Sequence, residues 1–354
     1  CQTNLRDAIA TVDSVSGDKV VIDHLTCPEI VVTGSSIVVQ DKAFILSAPL
    51  DPMGVPQVTI KADTGTTFGL FTLEDTADPT GPNLAIPVIF SGIRFADATS
   101  QGPGGAINAQ NHAVILHNSI VTNNTAVGSG GGVSVNGELL IVGSEISNNT
   151  VTEVIEIPQG GLGAATAVGG GAAVHGQVFV VPSGTGQLSF GNSLERVSQA
   201  FSDAADALDT EGEELVPSVI SGNKAEVVMD VGSVYVYLDA MAVGGGIASF
   251  PDGASKTYSV LGGGSCDIGG PFGDVEAAGC NIIYASRVTG NTAELTLTAA
   301  GAIMLVESSS ANRRAAKGRQ KSSWKMGGDV VRQIERRGDE RRARGETSTG
   351  RTPL

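Results

Sequence analysis

A run of 18 residues from Asn118, NSIVTNNTAVGSGGGVSV, is nearly repeated from Ser144 as SEISNNTVTEVIEIPQGG. The recurring unit is an apolar residue, an asparagine pair, a small residue and then glycines. It returns in looser form as Val219-Ile220-Ser221-Gly222-Asn223-Lys224-Ala225 and as Arg287-Val288-Thr289-Gly290-Asn291-Thr292-Ala293. Glycine runs at Gly104-Gly105-Ala106-Ile107, Gly130-Gly131-Gly132-Val133, Gly169-Gly170-Gly171-Ala172, Gly244-Gly245-Gly246-Ile247 and Gly301-Ala302-Ile303 punctuate the same stretch. Measured from Ile120 to Ile146, or from Gly105 to Gly131, the period is 26 residues, within the range that marks solenoids. Short strand-like runs such as Ala113-Val114-Ile115-Leu116 and Leu139-Leu140-Ile141-Val142 fill the period, and no run is helical in its apolar spacing. Short strands joined by several turns per repeat stack as the coils of a parallel β-helix, with side chains alternately inward and outward.

That geometry gives the repeated residues structural jobs. Asparagine tolerates left-handed backbone at a corner and hydrogen-bonds its counterpart one coil away, so Asn124 and Asn149 are expected to stack in a ladder, with Asn223 and Asn291 at the equivalent corners. Glycine at another corner admits positive φ and close approach of backbone. A ligand-binding residue has no reason to recur at the coil period.

Earlier in the chain the same physics shows without the letters. Strand-like runs at residues 19–22, 30–32, 36–39, 43–46, 57–60, 68–73 and 87–90 come about every ten residues between Gly, Pro, Asp and Ser. These are the expected first coils. Before them, residues 4–12 predict a short helix, capped by Asn4, with Asp7 in its first turn and Leu5, Ala8, Ile9 and Val12 on one face. It is suited to covering the end of a solenoid. The expected organisation is therefore a cap helix within residues 1–12, a β-helix over 13–306 with inserts at about 183–217 and 251–279, and a basic, disordered tail at 311–354. The first insert contains a candidate acidic helix at 194–208. Solenoid inserts become loops on one face, often the face that binds.

Charge divides the chain the same way. Residues 1–310 hold 9 Lys/Arg against 32 Asp/Glu, and residues 311–354 hold 13 against 5. An acidic body repels nucleic acid and anionic lipid, so neither is an expected partner for it. Beyond residue 311 strand-formers give way to Arg and Gly, which argues for disorder; Val330-Val331-Arg332-Gln333-Ile334 is the last apolar-looking run, and Arg337-Gly338-Asp339 spells an integrin-type tripeptide. No apolar run reaches the length of a membrane-spanning helix. Cys1, Cys27, Cys266 and Cys280 permit three pairings, of which Cys1–Cys27 with Cys266–Cys280 is simplest by position; free thiols remain the alternative.

Asn4-Leu5-Arg6-Asp7-Ala8-Ile9, close behind Cys1, resembles the opening of bacterial secreted right-handed β-helix proteins. The Ile/Val-Ser/Thr-x-Asn-x-Ala and Gly-Gly-Gly/Ala-Ile/Val units resemble the repeat of polymorphic outer-membrane proteins. The resemblance covers residues 1 to about 306 and implies a pectin-lyase-like right-handed β-helix, export to or beyond the bacterial outer surface, and a role in adhesion or surface architecture. Extracellular polysaccharide or protein is the implied partner class. It brings no shared catalytic residues.

The same fold class includes polysaccharide lyases and hydrolases, which form the competing reading. A hydrolase needs paired carboxylates at catalytic distance, and a lyase needs an acidic Ca²⁺ site beside an Arg or Lys. The densest acidic run, Asp203, Asp206, Asp209, Glu211, Glu213 and Glu214, lacks the ligand spacing of an EF-hand and reads as a solvated helix. Asp97 reads as a surface ion-pair partner of Arg94. The four histidines, His24, His112, His117 and His175, read as surface residues; His112 and His117 are near enough in sequence to meet but have no adjacent acid or cysteine. The glycine runs lack the Lys-Ser/Thr close of a phosphate loop. The expectation is a non-catalytic module with no catalytic set, cofactor or metal.

Overall fold

A computed structural model describes residues 1–12, 19–74, 86–157, 162–176, 178–183, 216–231, 237–249, 281–283 and 286–299. Apart from their ends, the predicted inserts lie outside the described residues, as do the tail and the pair Cys266 and Cys280. Within the described residues the chain winds as a right-handed parallel β-helix, and every strand pairing is parallel.

One sheet runs along the molecule as seven stacked strands, Glu29–Val32, Val58–Ala62, Ile93–Ala96, Ile120–Thr122, Glu145–Ser147, Val219–Ser221 and Arg287–Thr289. Its inward residues are apolar and buried, from Ile30 and Ile60 through Phe95 and Val121 to Ile146 and Ile220. A second, 11-stranded sheet has two columns that merge in the long strands Ile107–His117 and Val133–Val142. The third sheet stacks Thr125–Val127, Thr150–Ile157, Lys224–Val231 and Thr292–Ala299. The runs predicted as first coils fall on the strands observed between Lys19 and Ser91, within a few residues at each end.

Between the strands Ile107–His117 and Val133–Val142 the 26-residue period holds in one column only. Ile107 pairs with Val133, but beyond Gln110↔Asn136 the register shifts, so that Val114 pairs with Leu139 and Val121 with Ile146, 25 residues apart. The extra residue is Asn111, accommodated in a left-handed conformation at φ 58°. Ile120 therefore stacks on Glu145 rather than on Ile146, which corrects the alignment made on the apolar letters.

The predicted cap helix forms as Gln2–Thr11 and buries Leu5 and Ile9, with Val12 beneath its end. Its N-cap is Cys1, not Asn4, which lies exposed within the first turn. What ties the helix down is different in kind. Cys1 and Cys27 form a disulfide with Cα atoms 5.7 Å apart, Arg6 donates to the carbonyls of Ser35 and Ser36, and Lys42 Nζ donates to the last-turn carbonyls of Ile9 (3.0 Å) and Ala10 (2.6 Å). A cation at the helix C-terminus meets orphan carbonyls and the negative end of the dipole.

One face departs from simple alternation. In the strands Phe44–Ser47, Ile107–His117 and Val133–Val142, the residues that point away from the core, Ile45, Ile115 and Leu140, are buried as well, at 6%, 1% and 2% exposure. Strands buried on both faces read as continuous apolar runs, which is the character of Ala113-Val114-Ile115-Leu116 and Leu139-Leu140-Ile141-Val142.

Candidate functional site

The repeated polar residues converge on two corners of the coil. At the first, the asparagine pair divides its labour. Asn123 and Asn148 hold left-handed backbone at φ 56° and 55°, a position taken by Gly222 and Gly290 in later coils and by Asp97 in an earlier one. The following residues, Asn124, Asn149, Asn223 and Asn291, form a four-membered ladder along the axis. Each Nδ2 donates to the Oδ1 of the next asparagine, at 3.0, 3.0 and 2.9 Å, and also to a strand carbonyl, those of Phe95, Val121, Ile146 and Ile220 in turn. The backbone N–H groups of Asn124, Asn149 and Asn223 donate to the same Oδ1 atoms. Asn124, Asn149 and Asn223 are fully buried. At Asn149 and Asn223 both amide protons and both lone pairs are thereby used, leaving nothing to offer a ligand.

A serine ladder occupies the opposite corner. The backbone N–H of Ile93 donates to Ser119 Oγ, that of Ser119 to Ser144 Oγ and that of Ser144 to Ser218 Oγ, at 3.3, 3.0 and 3.2 Å. The hydroxyls turn back to strand carbonyls, Ser119 to Phe90 and His117, Ser144 to Leu116 and Val142, Ser218 to Ile141 and Ser286 to Val180. At the glycine corner a Cβ on Gly131 would stand 2.1 Å from the Gly170 carbonyl oxygen, so the successive coils touch backbone to backbone there and no other residue fits.

Beside the serine corner lies a buried polar cluster that the sequence reading placed on the surface. His117 Nδ1 is 2.9 Å from Ser91 Oγ, and its Nε2 is 3.2 Å from Asn118 Nδ2. With Asn118 Nδ2 as the donor, Nε2 is the acceptor and the ring proton is assigned to Nδ1, on the side of the serine. A base that would activate Ser91 needs the opposite tautomer. Burial holds the imidazole pKa down at about 4, which keeps it neutral. His112 is buried too, its Nδ1 2.8 Å from the Gln110 carbonyl. The two corrections have different causes: His117 lies on the outward face of Ile107–His117, which is covered, whereas His112 shares the inward parity of Val114 and Leu116, set by the extra residue Asn111.

The described ion pairs place carboxylates next to cations. Lys224 Nζ lies 2.9 Å from Glu226 and 3.2 Å from Glu294, one coil further on; the ammonium thus bridges two coils of the third sheet, and these hydrogen bonds and charges raise its pKa in spite of partial desolvation, the largest single influence and an opposing one. Lys61 pairs with Glu29 at 3.0 Å across the first two coils. Arg94 and Asp97 form no ion pair; Asp97 serves as a left-handed corner residue at φ 56°. Among the described residues no group of three or more His, Cys, Asp or Glu gathers to hold a metal, and no helix is long and apolar enough to cross a membrane.

No family model, curated protein or solved structure matches this chain. The class is accordingly that defined by the coil itself, a right-handed parallel β-helix module.

Proposed function

We propose that this chain is a structural or binding module of the bacterial cell exterior, adhesin-like and without catalytic activity, of the type built from polymorphic outer-membrane protein repeats. The observation that carries the reading is the saturation of the asparagine ladder: the residues repeated most faithfully are consumed in joining one coil to the next. Recurrence at the coil period then reports selection for a long, stiff rod. Its disulfide at the N-terminal cap suits an oxidising exterior. Partner contacts belong to the inserts at 183–217 and 251–279, and the partner class is extracellular polysaccharide or protein.

The test pairs binding with turnover. The purified chain is passed over an array of cell-surface and plant or algal polysaccharides, and the same polymers are assayed for released sugars or unsaturated ends. Retention without release is the expected result. Release abolished by Glu226→Gln or Glu294→Gln, the two carboxylates that share Lys224, would replace this reading with a polysaccharide-active enzyme.

A further inference from the structure

The third sheet widens abruptly. Its strand Thr125–Val127 has three residues, whereas Thr150–Ile157, Lys224–Val231 and Thr292–Ala299 have eight each. Beyond the ladder pairs Thr125↔Thr150 and Val127↔Thr152, residues 153–157 extend past the end of the coil above. The neighbouring two-stranded sheet of Leu162–Val168 and Tyr237–Val243 ends in the same step, joined to the coil above only by the bridge Ser129↔Val168 among the described residues.

In a parallel ladder alternate residues turn both backbone groups toward the same neighbour. Thr150 N–H donates upward to the Asn124 carbonyl at 2.8 Å; two and three positions of the same parity further on, Val154 and Glu156 also face upward. Val168 N–H donates upward to Gly128 at 3.0 Å, so Thr166 and Ala164 follow suit. No described residue meets these groups. Val154 is 61% exposed. An open edge of this length is a template for another strand.

We propose that the step is a strand-addition site and that it takes the chain's own segment Val330-Val331-Arg332-Gln333-Ile334. Three facts select that occupant. The segment is the one β-branched run in residues 311–354. It belongs to a stretch with 13 Lys/Arg against 5 Asp/Glu, opposite in sign to residues 1–310 with 9 against 32, and the step itself carries the Glu153 carboxylate, whose Oε2 points up toward Gly128 of the coil above. Finally, two coil spacings, about 10 Å, separate Thr292–Ala299 from Thr150–Ile157, while the 31 residues from Ala299 to Val330 reach about 100 Å when extended. Tethering then favours docking within one chain over docking between copies. This holds whether or not the inserts bind a partner.

Hydrogen exchange at the Val154 and Glu156 amides reads the docking directly. In the full chain both amides are expected to exchange about 100-fold more slowly than in a chain ending at residue 310, with Thr150 and Thr152 unchanged as internal controls. A synthetic peptide of residues 326–338 added to the shortened chain restores the protection. Val331→Pro combined with Arg332→Pro in the full chain removes it without shortening anything, so a folding defect of the truncation does not decide the matter. Fast exchange at Val154 and Glu156 in the full chain, or protection that survives truncation, overturns the assignment. Protection that grows with protein concentration overturns its intramolecular form and moves the segment to a second copy.

Discussion

The coils before and after residue 97 hold their register by different means. In the earlier part Phe44, Phe71, Phe90 and Phe95 are fully buried and meet edge to face, with ring centroids 5.1 to 6.4 Å apart. Among the described residues of that part no asparagine ladder is present; both ladders end on backbone N–H groups at its boundary, those of Ile93 and Ala98. In the later part the buried apolar side chains of the described coils are Val, Ile, Leu and Ala, and the ladders take over. The difference tracks the chain's path. Asn149 and Asn223 are 74 residues apart and Asn223 and Asn291 are 68, yet they stack as directly as Asn124 and Asn149 at 25. Apolar packing is tolerant of sliding. A buried amide with one acceptable partner is not, because a slip leaves donors unpaired, so a ladder restores register after a long excursion where packing alone would not.

The largest effect that separates the two regions is expected from Asn149→Ala. It strips acceptors from the Asn124 N–H and Nδ2 and a donor from the Val121 carbonyl, all buried, and at roughly 1–3 kcal/mol for each group the loss is about 5 kcal/mol. Urea denaturation measures it. Phe90→Ala should follow at about 4 kcal/mol, since it removes the ring that touches all three other phenylalanines. The comparison sharpens if hydrogen exchange is added: the asparagine change loosens the later coils first and the phenylalanine change the earlier ones. Loosening of the same amides by both would show that the two parts form one cooperative unit.

Reduction of Cys1–Cys27 comes next. The bridge closes a 26-residue separation, worth about 3 kcal/mol by chain entropy, and it acts on the end that has no ladder. A fall in the melting temperature on adding dithiothreitol, absent in a Cys1→Ala/Cys27→Ala variant, is the expected reading.

The coil was legible in the sequence because its corners demand unusual residues. Only glycine fits where Gly131 meets the Gly170 carbonyl, and only an amide can both donate and accept as Asn149 does. Serine is too common to stand out at one position. Its ladder was nonetheless encoded in the intervals, since Ser144 to Ser218 spans the same 74 residues as Asn149 to Asn223, and the 68 residues from Asn223 to Asn291 return from Ser218 to Ser286. The one-residue shift at Asn111 was hidden because aligning Ile120 with Ile146 satisfies the apolar pattern equally well. His117 was unreadable for another reason: whether an outward side chain is covered depends on elements distant in sequence.

That histidine gives a smaller, pH-dependent effect. Its pKa falls from an ordinary 6.5 to about 4 on burial, so the unfolded chain binds the proton more readily. Stability is then unaffected above pH 6.5 and declines as the pH falls through the interval down to 4. By pH 5 the loss is about 2 kcal/mol. His117→Gln should flatten the pH dependence of the urea midpoint in that window; an unchanged slope would assign the acid sensitivity to other groups.

The smallest expected effect tests the division of labour most sharply, because it contrasts two identical neighbours. Asn148 and Asn149 are the same residue in adjacent positions, but Asn148 contributes a left-handed φ of 55° and Asn149 contributes its amide. Later coils place Gly222 and Gly290 at the first position, at φ 65° and 66°, and glycine adopts that backbone without steric penalty. Asn148→Gly is therefore expected to change stability by less than about 0.5 kcal/mol, relief of the left-handed strain being offset by greater freedom of the unfolded chain. Asn149→Gly is expected to cost at least as much as Asn149→Ala. A large loss from Asn148→Gly would mean that its side chain, too, holds the corner; Gly222 bears on this, since a Cβ placed there would stand 2.5 Å from Asn148 Oδ1, so in the next coil glycine leaves room for that side chain. Two glycine substitutions one residue apart thus separate the conformational demand of a corner from its hydrogen-bonding demand.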